Sequence, residues 1–205
     1  MEIHDSLYDS ERIRLTSIDH EKDAEVEAGW THNPFFLRMA YLQPAQPFSA
    51  EKVKKKYEAI EKDIEENKNA FYFAVRTQSD EDQPEGRLIG FARLYWIEWT
   101  HGNANLQLGL GQPEDWGQGY GTEILRLMLR YAFAELNLFR LTAVIPEYNQ
   151  ASLHLFQKAG FVEEACRREA VHRDGRYWDL LNLGLLAQEW VEQQPQTSAP
   201  VKPEE

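Results

Sequence analysis

The chain has 205 residues and a formal net charge of −12, with 42% hydrophobic and 27% charged side chains. That balance fits one globular domain with a sizeable core, and no apolar run approaches the length of a membrane-spanning helix, so no membrane partner is expected. The acidity argues against nucleic-acid binding, which rests on Lys and Arg neutralising phosphates, and the single cysteine, Cys166, excludes an internal disulfide and a cysteine zinc cluster.

Residues 1–14 carry neither the basic stretch nor the apolar core of a secretory signal, so the expected location is the cytoplasm. Residues 11–18 (ERIRLTSI) alternate charged and apolar side chains and predict a half-buried strand. A weak helix over 19–30 is interrupted at Asn33-Pro34, and the aromatic stretch 35–42 predicts a second short helix. Ser49 stands as N-cap of a helix over 50–66, with Val53, Tyr57, Ile60 and Ile64 on one face. Residues 70–76 predict a strand, 77–86 a polar loop, and 88–99 a long aromatic strand that His101-Gly102-Asn103 turns back. The next strand, 104–111 (ANLQLGLG), holds two glycines, which suggest a bulge or the close approach of a ligand.

The run Gly117-Gln118-Gly119-Tyr120-Gly121-Thr122 then opens onto an apolar stretch, 124–136. A glycine-rich turn entering a helix is an anion site: the first N–H groups lack helical partners and the dipole adds positive charge. Residues 140–145 predict a strand, and Asn149 caps a helix over 150–159 that Gly160 ends. Strands over 161–172 and 177–185 flank Arg173-Asp174-Gly175-Arg176, where Asp-Gly signals a hairpin. The domain is expected over 1–190. The tail from 191, and certainly EQQPQTSAPVKPEE from Glu192, has no apolar periodicity and is expected to be disordered. The order predicts a mixed α/β fold without strict βαβ alternation.

Glycine spacing narrows the ligand. No Gly-Lys pair occurs, which removes the P-loop, and Gly-x-Gly-x-Gly does not fit the Gly-x-Gly-x-x-Gly dinucleotide fingerprint. WGQGYGTEIL, at 116–125, resembles the acyl-CoA pyrophosphate loop of the GNAT N-acetyltransferases, in particular their RimJ/RimL-like branch. Asn149, Ser152 and the run Lys158-Ala159-Gly160-Phe161 are similar to the family's second signature helix.

The resemblance implies a central mixed, twisted sheet of about seven strands flanked by helices. It implies acetyl-CoA as co-substrate, with no metal. The acceptor would be a small-molecule amine or a protein N-terminal amine, and a homodimer is an option. Leu108, Gly109 and Leu110 would bond the pantetheine arm, and 117–122 would hold the pyrophosphate. Asn149 would cap its helix and contact the pantetheine amide; Ser152 and Phe156 would lie along the cofactor.

Two family positions depart from pattern. The usual tyrosine acid is replaced by Phe156, leaving Ser152 as the nearest hydroxyl for the leaving thiolate. The usual glutamate base is replaced by Asn105, leaving Glu98 as the substitute, with His101, Glu147 and His154 behind it. These gaps keep a second reading open, a CoA-binding sensor without catalysis. Acidic rims around aromatics from Trp30, Phe35, Phe36, Tyr41, Tyr95, Trp96 and Trp99 would favour a cationic or aromatic amine, although strand aromatics commonly pack in cores. Arg126 and Arg130 are candidates to pair with Glu123 or to approach the CoA 3′-phosphate, and Cys166 is expected to be packed inside.

Overall fold

The computed structural model describes residues 6–79 and 84–193. Seven strands form one sheet in the order β1-β2-β3-β4-β5-β7-β6. They are β1 (Ile13–Thr16), β2 (Phe71–Thr77), β3 (Leu88–Glu98), β4 (Asn103–Leu110), β5 (Arg140–Pro146), β6 (Val162–Arg173) and β7 (Arg176–Leu186). All neighbours are antiparallel except β4 and β5. Three helices precede β2: α1 (Lys22–Thr31), α2 (Pro34–Ala40) and α3 (Ala50–Asn67). Then α4 (Tyr120–Arg130) follows β4, α5 (Gln150–Lys158) follows β5, and α6 (Ala187–Gln193) closes the described chain. This is the mixed α/β fold that the residue order predicts.

Local chemistry explains the helix starts. Asn33 accepts from Phe35 N at 3.0 Å and Ser49 from Lys52 N at 3.3 Å, both N-cap bonds. Pro34 occupies the first position of α2, where a missing N–H costs nothing. At the far end of the chain Asp174 and Gly175 both have positive φ, 51° and 76°, which matches a two-residue hairpin turn between β6 and β7.

The two faces of the sheet bury different sets. Ile13, Val75, Ile89, Leu94, Leu106 and Leu141 pack with α4 through Ile124, Leu125 and Met128, and with Phe156 of α5 and Trp190 of α6. On the opposite face Trp30, Phe36 and Leu37 cover Ala74, Leu88 and Phe91, while α3 docks on α1 through Val53 and Tyr57. Burying such side chains contributes roughly 1.5–3 kcal/mol each.

Several expectations need correction. The register shifts fall in β3 at Trp96 (φ 53°), in β6 at Glu169 (φ 52°) and between Glu163 and Ala165, and between β2 and β3 at Val75–Arg76; none places an extra residue in β4. In β4, Gly109 is required by packing: a Cβ there would stand 2.7 Å from the Phe91 ring, and at Gly111 it would strike the Trp30 indole. Cys166 is exposed, because β6 is the sheet edge and its residues 162–170 lie open; its thiol donates to Asp179 at 3.2 Å. The apolar stretch 124–136 is one helix continued by a wider turn at Tyr131–Glu135, and it starts four residues earlier, inside the glycine run. Residues 191–193, assigned to the tail, complete α6; the rest of that tail lies outside the described residues.

Candidate acyl-CoA site

The parallel pair carries the site. β4 and β5 are in register only from Asn103↔Arg140 to Asn105↔Thr142. Beyond that point β5 pairs with β7 alone, through Pro146, while β4 keeps only β3. The gap between them opens into a cavity of about 1100 Å³ lined by Leu106 to Leu108, Ala143 to Pro146, Asn149, Ser152 and Phe156. Gly111 N bonds Ile89 O, so by strand alternation Leu110 and Leu108 turn their main-chain groups away from β3, toward the gap. Consistently, the Leu110 carbonyl accepts from Trp116 Nε1 at 3.0 Å. An extended arm laid in this gap would find strand groups to bond.

The glycine run follows the open end of β4 after one short turn, Pro113–Asp115, and does not line the cavity itself. Gly117 and Gly119 have φ of 71° and 88°, so both need glycine. Gly119 is the N-cap of α4; its carbonyl receives Thr122 N at 3.0 Å, which leaves Tyr120 and Gly121 N–H as first-turn donors. Gly121 packs closely on α5, where a Cβ would lie 3.3 Å from a Leu155 methyl.

Arg12 braces this turn, a role no local spacing signals because its partners lie 106 and 111 residues away. Its guanidinium donates to Gln118 O at 2.9 Å and to Glu123 Oε1 at 2.6 Å, and lies over the Tyr120 ring. Ser10 Oγ donates to the same carboxylate at 2.6 Å. Burial pulls the Glu123 pKa up, but the bonds from Ser10 and Arg12 outweigh it and hold the value below the ordinary one. Glu123 is therefore engaged by Arg12, not by Arg126 or Arg130; Arg130 reaches Ser6 O at 2.6 Å. On the entry side, buried Asp115 receives a two-pronged bond from Arg87, at 2.6 and 3.0 Å.

At α5, Asn149 Oδ1 caps through Ser152 N at 3.1 Å, and its Nδ2 donates to Met39 O at 3.1 Å. One amide N–H of Asn149 stays available to a ligand. Phe156 is 3% exposed and packs edge-on against Phe161. Glu98 is not brought to this group. It lines an adjoining depression of about 450 Å³ that shares Trp96 and Asn105 with the cavity, and it accepts from Asn103 Nδ2 at 3.4 Å. His101, Glu147 and His154 are exposed and line neither space.

The cavity continues onto the α1–α3 face, where Tyr41, Lys56, Tyr72, Arg93, Tyr95 and Trp96 line it. Ile60 and Ile64, read as a packing face, are half-buried there because they border this space. Glu27, 2% exposed, binds Lys56 Nζ at 2.5 Å and Tyr57 Oη at 2.6 Å beneath it. Burial works against the Lys56 charge, but Tyr41 and Glu27 outweigh it and raise its pKa. Acidic rims are not what lines it: Asp63 is the one carboxylate among the described lining residues. Trp30 is core, while Trp96 is 71% exposed. No group of three or more His, Cys, Asp or Glu able to hold a metal occurs among the described residues.

A family model described as an acetyltransferase (GNAT) domain matches residues 12–162. The chain belongs to that family. Spermidine N(1)-acetyltransferase from Vibrio cholerae is 30% identical over 110 residues, 54% of this chain and 63% of that protein, less than two thirds of its length. Probable N-acetyltransferase YjcK of Bacillus subtilis is 29% identical over 167 residues, 80% of this chain and 88% of its own. Among solved structures, spermidine N-acetyltransferase from Vibrio cholerae in complex with CoA and spermine matches with TM-score 0.74 at 22% identity, over 89% of this chain and 99% of that one. That likeness concerns the fold. The GNAT domain is that of an acyl-CoA-dependent N-acetyltransferase with acetyl-CoA as donor.

Proposed function

We propose that this protein moves the acetyl group of acetyl-CoA to a primary amine by direct attack in a ternary complex. The observation that carries the reading is the β4–β5 gap, ending beside a helix N-terminus built on two positive-φ glycines. In this reading the pantetheine arm bonds Leu108 and Leu110, with Gly109 between them, and the pyrophosphate sits on the N–H groups of 117–122. Leu110 N–H donates to the thioester oxygen as negative charge develops on it. Ser152, in the cavity wall, donates a hydrogen bond to the leaving thiolate, because Phe156 has no proton to give. Glu98 lines the adjoining depression and not the cavity, so in this reading it takes the ammonium proton through a water relay and not directly.

The loop at 116–125 and the helix at 149–158 support placing the chain in the RimJ/RimL-like branch. One sheet running from β1 to β7 supports reading 1–190 as a single domain. The unbridged, exposed Cys166 suits a reducing compartment such as the cytoplasm. The open edge of β6 is the surface for a homodimer.

The test follows CoA thiol release from acetyl-CoA across amino acids, polyamines, aminoglycosides and N-terminal peptides. Amine-dependent release supports transfer. Thermal stabilisation by acetyl-CoA with no release on any amine would establish the sensor instead.

A further inference from the structure

The acceptor half of the cavity holds two donors, Arg93 and Tyr72, that lack an anionic or acceptor complement at their free ends among the described residues. Tyr72 stands opposite Arg93 across β2 and β3, and Arg93 opposite Gln107 across β3 and β4. The three side chains therefore share one face of the sheet, as direct cross-strand neighbours do. Gln107 is held at both ends of its amide: Oε1 accepts from Arg93 Nε at 2.7 Å, and Nε2 donates to Ala40 O at 2.5 Å. That contact fixes the Arg93 guanidinium, which also lies over the Tyr95 ring at 4.5 Å from its centroid. No carboxylate among the described residues lies within ion-pair distance of Arg93, so its two terminal nitrogens remain as a free fork.

Beside it, the Tyr72 hydroxyl is buried and has no hydrogen-bond partner among the described residues. The ring is held parallel to Phe91, with centroids 5.8 Å apart and planes at 8°. Burial, with nearby Glu27, pushes the Tyr72 pKa well up, so the group stays protonated and donates. An unpaired buried hydroxyl is destabilising unless a ligand meets it. Lys56 adds a charge on the same face, and Arg167 of β6, also without a carboxylate among the described residues, adds another. With Lys56 paired to Glu27, Arg93 and Arg167 remain as two cations against Asp63 in the lining of this space.

We infer that the acceptor amine carries a carboxylate, as a free amino acid does, and that Arg93 and Tyr72 hold it. The inference rests on the transferase reading above and names the acceptor class for the same cavity. A guanidinium fork matches a carboxylate in a planar, two-point contact that an ammonium cannot reproduce. A polyamine would bring its second ammonium against Arg93, and like charges in a desolvated site are repelled.

The experiment compares each amino acid with its decarboxylated amine, for instance phenylalanine with phenethylamine, and adds spermidine and a C-amidated peptide with a free N-terminus. CoA release is read for wild type, Arg93→Gln and Tyr72→Phe, with CoA affinity measured on the same samples. Wild type is expected to favour the carboxylated partner in kcat/KM. Arg93→Gln should shrink that preference about 10- to 100-fold and Tyr72→Phe by about tenfold, mostly through KM. Equal or better turnover of spermidine, the peptide or the decarboxylated amine overturns the inference while leaving acetyl transfer intact. An unchanged preference in Arg93→Gln, with all amines slowed alike, reduces Arg93 to a structural role and overturns it too. CoA binding without release on any amine defeats the transferase reading, and this inference with it.

Discussion

The donor and acceptor halves of the cavity are made from different parts of the chain. The donor half is main chain: strand groups of β4 freed by the departure of β5, and helix N–H groups behind Gly117 and Gly119. The acceptor half is side chain: Tyr72, Arg93 and Gln107 from three strands, with Tyr41 and Lys56 above them. A main-chain site demands glycine at fixed positions and tolerates most neighbours. A side-chain site can change its ligand by replacing one residue without disturbing the fold. The donor half therefore states what the family shares, and the acceptor half states what this member does with it.

The sharpest way to break that contrast is Gly119→Val. The variant forces φ of 88° on a branched residue and sets its Cβ 3.0 Å from Arg12 Nη2. CoA affinity should fall roughly 10- to 100-fold from backbone strain of about 1–3 kcal/mol. The damage arises from the turn and its brace, rather than from a side chain filling the pyrophosphate's space. Calorimetric titration with CoA checks it, and undiminished affinity removes the turn from the site.

Ser152→Ala separates binding from chemistry within the donor half. Turnover should drop about 10- to 100-fold if the hydroxyl hydrogen-bonds the leaving thiolate, with CoA affinity nearly unchanged. Equal turnover returns Ser152 to the role of a first-turn residue under the Asn149 cap. Asn149→Ala is expected to act on stability. It removes the cap on α5 and the tie to Met39, lowering stability by about 1–2 kcal/mol in thermal unfolding. A stable variant with unchanged melting would show that the two halves are not joined there.

The smallest effect concerns pH. Glu123 has a lowered folded pKa, so its contribution is present above the ordinary glutamate range and is lost as pH falls through the lowered value. Arg12 is 45% exposed, so solvent screening keeps the contribution below about 1 kcal/mol. Melting temperature followed into acid should show a shallow loss that Glu123→Gln abolishes; identical acid limbs would mean the brace is idle.

This contrast also explains what was legible in the sequence. The glycine turn, the Asn149 cap and the Asp174-Gly175 hairpin were readable because each obeys a local backbone rule. Arg12 was not, since a guanidinium reaching across 111 residues leaves no spacing to find. Nor was the row on β2, β3 and β4, because strand register decides which side chains meet, and periodicity within one strand does not. Glu98 shows the same limit: its place at the end of β3 suggested the cavity mouth, but it lines the adjoining depression that shares Trp96 and Asn105 with the cavity. Gly109 and Gly111 were correctly marked as special, although aromatic rings and not a bulge require them.

Amide hydrogen exchange with and without CoA tests the central claim most directly. The main-chain account predicts slowed exchange in residues 106–111 and 117–123, with a smaller change at 149–153. Tight CoA binding that leaves these amides exchanging at their free rates, with protection elsewhere, would contradict it.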